Sequence, residues 1–196
     1  IISSQLKPSI DSYLKKWGSL ATVLKICGDF YLDSFLMTNS DDDSQKSFQC
    51  YKKRCEIEKR AESFIDLARS FQIQNKIEES IAMLKKVLKV FPTHAGLWTA
   101  LGISFSFVSL FPFARHCLCV AAKLSTDIEQ ARSYACCANI GLLIDDVDLL
   151  HEAVEAARQS NPYDPDVWQI IAATEKIKTV DSSLIAITFA FFRKYS

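Results

Sequence analysis

Side chains able to do chemistry gather in one short segment, ARHCLCVAAKL, which holds His116, Cys117 and Cys119. A Cys-x-Cys beside a histidine could give thiolate and imidazole ligands to a metal ion. Tetrahedral zinc wants a second such pair at suitable spacing. The nearest in sequence is Cys136 and Cys137. Adjacent residues of a helix point about 100° apart, so these two cannot easily face one ion. For the same reason His116 and Cys117 cannot hydrogen-bond as a base and its nucleophile. The better account is packing: small apolar thiols set into helix contacts. His94 and His151 fall at loop or helix-start positions, where a solvated imidazole is expected.

Other chemistries find little to work with. No Gly-rich phosphate loop, HExxH or GxSxG occurs. The run Asp41-Asp42-Asp43 lacks the central Gly and distal Glu of a calcium-binding EF-hand loop and reads as a solvated, mobile loop. Phe105, Phe107, Phe111 and Phe113 have no Lys or Arg among them, so a base-stacking platform would lack its counter-charge. Lys and Arg number 23, as do Asp and Glu, which leaves no electrostatic footprint for nucleic acid or an anionic membrane. The sequence therefore points away from an enzyme and nominates no catalytic, cofactor-binding or metal-binding residue.

The elements that would position these side chains are helical. Apolar residues make up 49% of the chain, enough for a core. Only 5 Gly and 5 Pro occur, too few turn formers for an all-β fold, and neither type occurs between Asp29 and Phe91. Seven Cys, an odd number, with no Asn-x-Ser/Thr sequon, point to a reducing compartment such as the cytosol or nucleus. The chain begins at Ile1 and reads as part of a longer protein. The apolar run 184–192 is far short of the ~20 residues that span a bilayer and reads as a buried helix, with the array continuing beyond it.

A 34-residue repeat organises the rest. Trp98, Leu101, Gly102 and Phe105 are followed by Ala114, Leu118 and Ala121, with Thr126 at the place of a closing Pro. One period earlier stand Phe64, Leu67, Ala68, Phe71, Ser80, Leu84, Val87 and Pro92. After a slip of two residues come Tyr134, Cys137, Ala138, Gly141, Leu150, Val154, Ala157 and Pro162, then Trp168, Ile171, Ala172 and Glu175. The first four residues of each set line one face of a helix at i, i+3, i+4, i+7, and the later ones line the facing side of a second helix. The third position must be small because the two helices cross there; Ala68, Gly102, Ala138 and Ala172 comply. Leu24, Cys27, Gly28 and Tyr31 repeat the same spacing near the start.

This pattern resembles the tetratricopeptide repeat (TPR), W-x2-L-G-x2-Y…A-x3-F-x2-A. The resemblance implies an all-α solenoid of stacked antiparallel helix pairs wound as a right-handed superhelix. The units expected are a degenerate one at 1–60, with an acidic inserted loop at about 38–47, then 61–94, 95–130, 131–164 and a partial unit at 165–196. A single long helix over 45–72 is the alternative for the breaker-free region. In this family the concave surface is lined by positions 2, 5, 9 and 12 of the first helices. Here these include Arg69, Gln72, Asn139 and Gln169, which become the candidate partner-binding residues. The Lys/Asn constellation with which chaperone-binding members hold a terminal carboxylate is absent at the matching positions.

Four stretches narrow the resemblance further: LKICGD at 24–29, Cys50-Tyr51 after the insertion, LWTALG at 97–102 and ARHCL at 114–118. In order, they resemble the middle repeats of the TPR scaffold subunit of the superkiller (Ski) complex, over roughly residues 20–176. That resemblance implies a non-catalytic scaffold, without cofactor, that organises a superfamily 2 RNA helicase and WD40 subunits for cytoplasmic exosome 3′-to-5′ mRNA decay. It implies a cytoplasmic location, with the nucleus also open. The other reading is a peptide-binding adaptor of an unrelated pathway. Tyr134 in place of Trp, Gly141 at an aromatic position and Thr126 in place of Pro depart from the pattern.

Overall fold

The structure is a computed structural model that describes residues 2–161 and Tyr163. Trp168, Gln169, Ala172 and the apolar run 184–192 lie outside the described residues. Among the described residues there are nine helices and no strand: α1 (Ile2–Trp17), α2 (Ala21–Thr38), α3 (Asp41–Ile57), α4 (Ala61–Ile73), α5 (Ile77–Leu88), α6 (Ala95–Phe107), α7 (Phe111–Leu124), α8 (Asp127–Leu143) and α9 (Val147–Ser160). They fall into two compact units, Ile1–Val87 and Leu88–Ser196.

In the first unit α2 and α3 form a hairpin. Gly28 sits at their crossing: a Cβ added there would lie 2.7 Å from the Tyr51 ring. One core cluster joins Leu24, Cys27, Tyr31 and Cys50, flanked by Ile10 and Leu14 of α1. A second joins Leu32, Tyr51, Cys55 and Leu67, with Phe48, Phe64, Phe71, Ile73 and Met83 packed against it. α4 and α5 make the next hairpin, in which the buried Ser80 hydroxyl donates to the Ala68 carbonyl at 3.4 Å.

The acidic stretch expected as a loop at 38–47 is helical from Asp41 onward, and the connection shrinks to residues 39–40. Helix geometry explains how. Tyr51 lies 23 residues beyond Gly28, whereas Leu118 lies 16 beyond Gly102, the equivalent contact in the next unit. The surplus of seven is about two helical turns. One turn lengthens α2 and one lengthens α3, so the crossing keeps its register. Asp41 and Asp42 stand exposed in the first turn of α3, where carboxylates favour the helix dipole. Asp43 is 0% exposed and cannot be a solvated loop residue.

Nor is there one helix over 45–72. α3 stops at Ile57 and α4 starts at Ala61, with Arg60 extended at φ −107°, ψ 154°. No Gly or Pro makes this break. Contacts between the two helices hold it: the Cys55 thiol donates to the Ser63 carbonyl at 3.0 Å, and Arg54 pairs with Asp66.

The second unit is built from α6/α7 and α8/α9. Gly102 crosses at Leu118, whose Cγ would lie 2.8 Å from an added Cβ. Ala114, Leu118 and Ala121 are fully buried on α7. The Trp98 indole Nε1 donates to the Pro92 carbonyl at 2.7 Å, tying α6 to the turn before it. α8 begins at Asp127, four residues ahead of the expected start of the 131–164 unit, with Thr126 just before it in extended conformation. Gly141 departs from the repeat for a visible reason: a Cβ there would lie 2.9 Å from the Leu150 backbone nitrogen. With no aromatic side chain between them, the α9 backbone settles directly on α8. The buried stripe of α9 is then Leu149, Ala153 and Ala157, while Leu150 and Val154 are half-buried.

The hairpin turns share one device. Asn39, Asn75, Ser109 and Asp145 have φ of 53°, 58°, 58° and 55°, the left-handed region. After three of them the next amide donates five residues back: Lys76 to Phe71, Leu110 to Phe105 and Asp146 to Gly141, at 2.8–2.9 Å. This is the Schellman closure of a helix end. Asn and Asp tolerate the left-handed region, whereas Ser meets the full penalty of roughly 1 kcal/mol. Ser109→Gly is expected to stabilise the protein by ~0.5 kcal/mol, after allowing for the extra freedom of Gly in the unfolded chain. Thermal unfolding should show a higher midpoint for this variant and a lower one for Ser109→Val. Gly102→Leu, which drives a side chain into buried Leu118, is expected to lose ~1–3 kcal/mol or more. An unchanged melting temperature would remove the close crossing as the organising contact.

Candidate functional site

Of the residues nominated for partner binding, Gln169 lies outside the described residues and the other three differ in exposure. Asn139 is 2% exposed and Gln72 9% exposed, so neither offers its side chain to a partner. Arg69 is half-buried. α8 is enclosed by α6, α7 and α9. Within that packing Thr99 and Ser133, on successive first helices, approach to 3.4 Å between hydroxyl oxygens. First helices that lie side by side close the inward positions which the repeat pattern alone would leave open. Correspondingly Ile103 and Ala135 are buried, while Glu62 and Arg132 remain exposed.

The first unit carries an open cleft of about 640 Å³, where the N-terminal half of α3 meets the α4–α5 turn. Phe35, Phe48 and Ile73 supply apolar wall, and Lys52 and Lys76 supply cations at its rim. The Lys76 ammonium lies 5.6 Å from the Phe48 ring centroid. Sequence reading missed this cleft because it depends on α3 being helical across the acidic run.

The first unit is also held by ion pairs and hydrogen bonds to carboxylates, of which Asp43 is fully buried. Asp43 accepts from Lys7 Nζ at 2.6 Å and from the Ser34 hydroxyl at 2.8 Å, joining α1, α2 and α3. The Tyr31 hydroxyl donates to Asp11 at 2.5 Å, and the Tyr51 hydroxyl donates to Asp29 at 2.6 Å. Burial and these carboxylate partners raise both phenols well above their ordinary range. Asp66 receives Arg54 and, at 3.3 Å, Lys25. Burial nevertheless raises the Asp66 carboxyl, with both cations pulling the other way.

The thiols are distributed by the helices. Cys27, Cys50 and Cys55 lie in the first unit, and burial raises all three, the latter two to about 12. In the second unit His116 is exposed while Cys117 is buried, so their side chains part. Among the described residues no group of three or more His, Cys, Asp or Glu is placed to hold a metal ion. Cys119 on α7 is half-buried, and Cys137 on the adjoining α8 is buried. Interaction with Cys137, with Arg115, Lys123 and His116 nearby, lowers Cys119 to about 6 against the effect of burial. Cys137 is raised by the same interaction and by burial. His94 is half-buried at the start of α6, and His151 is exposed on α9. Phe105 is buried with Phe113 beside it at 5.6 Å between centroids, an arrangement of packing.

No protein-family model matches the sequence, and no curated protein matches it. Solved structures do match. MamA aligns over 90% of this chain and 98% of its own, at 16% identity and a TM-score of 0.55. YrrB, described as a TPR protein with an unusual peptide-binding site, aligns over 85% and 87%, at 11% identity and a TM-score of 0.56. Yeast Tom70 aligns over 98% of this chain and 39% of its own, at 16% identity and a TM-score of 0.63. The fold is that of the tetratricopeptide-repeat solenoids. Among the described residues no helix is long and apolar enough to cross a membrane.

Within this TPR fold the Arg54–Asp66 pair makes a pH-dependent prediction. Arg54→Leu leaves a mostly buried carboxylate with Lys25 alone, and the loss at neutral pH is expected to be ~3 kcal/mol. Removing Arg54 also raises Asp66 further. A carboxyl whose folded pKa is raised favours the folded state at low pH and loses that contribution as pH rises through the folded pKa. The deficit of the variant should therefore shrink as the solution is acidified from neutrality and Asp66 takes up its proton. Urea unfolding of both proteins across that range checks it.

Proposed function

We propose that this chain is a non-catalytic scaffold for protein–protein interaction. The observation that supports this reading is the helix-hairpin stack itself. Its buried ionisable groups, such as Asp43, Arg54 and Asp66, join one helix to the next, and the first unit carries an open cleft of about 640 Å³. The finer reading is the TPR subunit of a superkiller-type complex, contacting an RNA helicase and WD40 subunits in cytoplasmic mRNA decay. It rests on the order of the stretches at 24–29, 50–51, 97–102 and 114–118.

A second reading, a peptide-binding adaptor of an unrelated pathway, draws support from the first-unit cleft. Apolar wall with two lysines at the rim suits an extended segment bearing acidic and apolar residues. Arg69, on α4, remains a candidate for partner contact; Gln72 and Asn139 do not.

Affinity capture of the full-length protein from its own cytosol, read by mass spectrometry, separates the two. Recovery of a superkiller-type helicase together with a WD40 protein is the expected outcome. Recovery of a single unrelated client, lost again when Lys52→Glu and Lys76→Glu are combined, would select the adaptor.

A further inference from the structure

The longer first hairpin overreaches its neighbour. From the crossing at Gly28 to the end of α2 at Thr38 is ten residues, whereas from Ala68 to the end of α4 at Ile73 is five. The Lys25 ammonium, 3.3 Å from Asp66, keeps α2 and α4 level near the crossing. Further along, the Gln74 side chain donates to the Ser44 carbonyl at 3.4 Å, which sets the α4–α5 turn beside α3 one turn in from its start. The last turn of α2 and the first of α3 therefore project past that turn, and the step between them is the open cleft of about 640 Å³. A hairpin of regular length would leave no such step. Phe35 and Ile73, which the cleft takes from first helices, lie beyond the positions that face the concave surface.

We propose that this step docks an extended segment of about five residues from a partner protein, with apolar side chains on Phe35, Phe48 and Ile73 and acidic side chains met by Lys52 and Lys76. The proposal rests on reading the chain as an interaction protein. Its length follows from α3: Asp41 and Lys52, both on the cleft wall, are eleven residues apart, about 16 Å along the helix. Between them Gln45 and Gln49 stand exposed one turn apart, and their amides can both donate to and accept from a peptide main chain. Lys76 faces them from the α4–α5 turn, its ammonium 5.6 Å from the Phe48 ring centroid and 3.1 Å from Gln74 Oε1. Glu56, Glu78 and Glu79, the acids that follow the two lysines in sequence, are not part of the wall. Asp41 is the one acid on it, and it repels a second acid at that end. The segment therefore carries its acidic residues at one end, toward Lys52, and none at the end beside Asp41.

The test is to pan a display library of random twelve-residue peptides against the purified full-length protein and to measure the enriched peptides, labelled with fluorescein, by anisotropy. Apolar residues followed or preceded by acids at one end only are the expected motif. Lys52→Glu combined with Lys76→Glu should weaken binding about tenfold or more, and exchanging the acids of the peptide for lysine should restore it. Asp41→Lys, at an exposed position, should instead tighten a version of the peptide that is acidic at both ends. Enriched peptides without acids, or an affinity unchanged by both sets of substitutions, would overturn the cleft as the docking site while leaving the interaction reading in place. No enrichment at all would also overturn the cleft, and affinity capture of partners then decides the broader reading independently.

Discussion

The structure depends on how closely two helices can approach within each hairpin. At Gly28 and Gly102 the space of a β-carbon is already taken, by the Tyr51 ring and by Leu118. Ala68 and Ala138, at the same place in their units, have no exposed surface. Once that contact is fixed, the large residues on either side fall into register, because i, i+3 and i+4 neighbours on each helix are carried with it. The contact tolerates change in hairpin length but not in phase. Seven extra residues between Gly28 and Tyr51 add about one turn to each helix and leave the crossing intact.

The two units meet this constraint with different chemistry. α6 and α7 bury Leu97, Leu101, Ile103, Phe105 and Leu118, and need few directional bonds. The buried stripe of α3 is Asp43, Ser44, Ser47, Cys50, Tyr51, Arg54 and Cys55, poor in hydrocarbon. Apolar burial alone would fix its rotation weakly. Ion pairs from Lys7 and Asp66 and the tyrosine hydroxyls supply direction instead, at the desolvation cost that buried charges carry. Loss of one partner therefore hurts this unit more than loss of a methyl group would.

The repeat was legible where the stripe is apolar. Phe64, Trp98 and Tyr134 and their followers mark α4, α6 and α8, and the small residues at the crossings follow from the same spacing. The acidic segment was not legible, since three aspartates and several serines look solvated until Lys7, Ser34 and Asp66 arrive from other helices. The helical period was present in Asp43, Ser47, Cys50 and Arg54, but in residue types that hydrophobic pattern reading passes over. The partner-binding assignment failed on burial for Gln72 and Asn139: the repeat register says where a residue points on its own helix, and the neighbouring helices decide whether that direction is open. The left-handed turn residues escaped notice because Asn, Ser and Asp occupy them and no glycine does.

Packing accounts for where the cysteines of α7 and α8 lie. Close helix packing selects small side chains, and a thiol is among the smallest apolar ones. Cys137 takes a core position where the repeat usually has Leu and is 1% exposed, while Cys119, one turn from Arg115 and from Lys123 on α7, stays half-buried. The asymmetry needs no dedicated site. It arises because the outer edge of α7 is polar and the adjoining face of α8 is not, which is the amphipathic pattern that builds the stack in the first place.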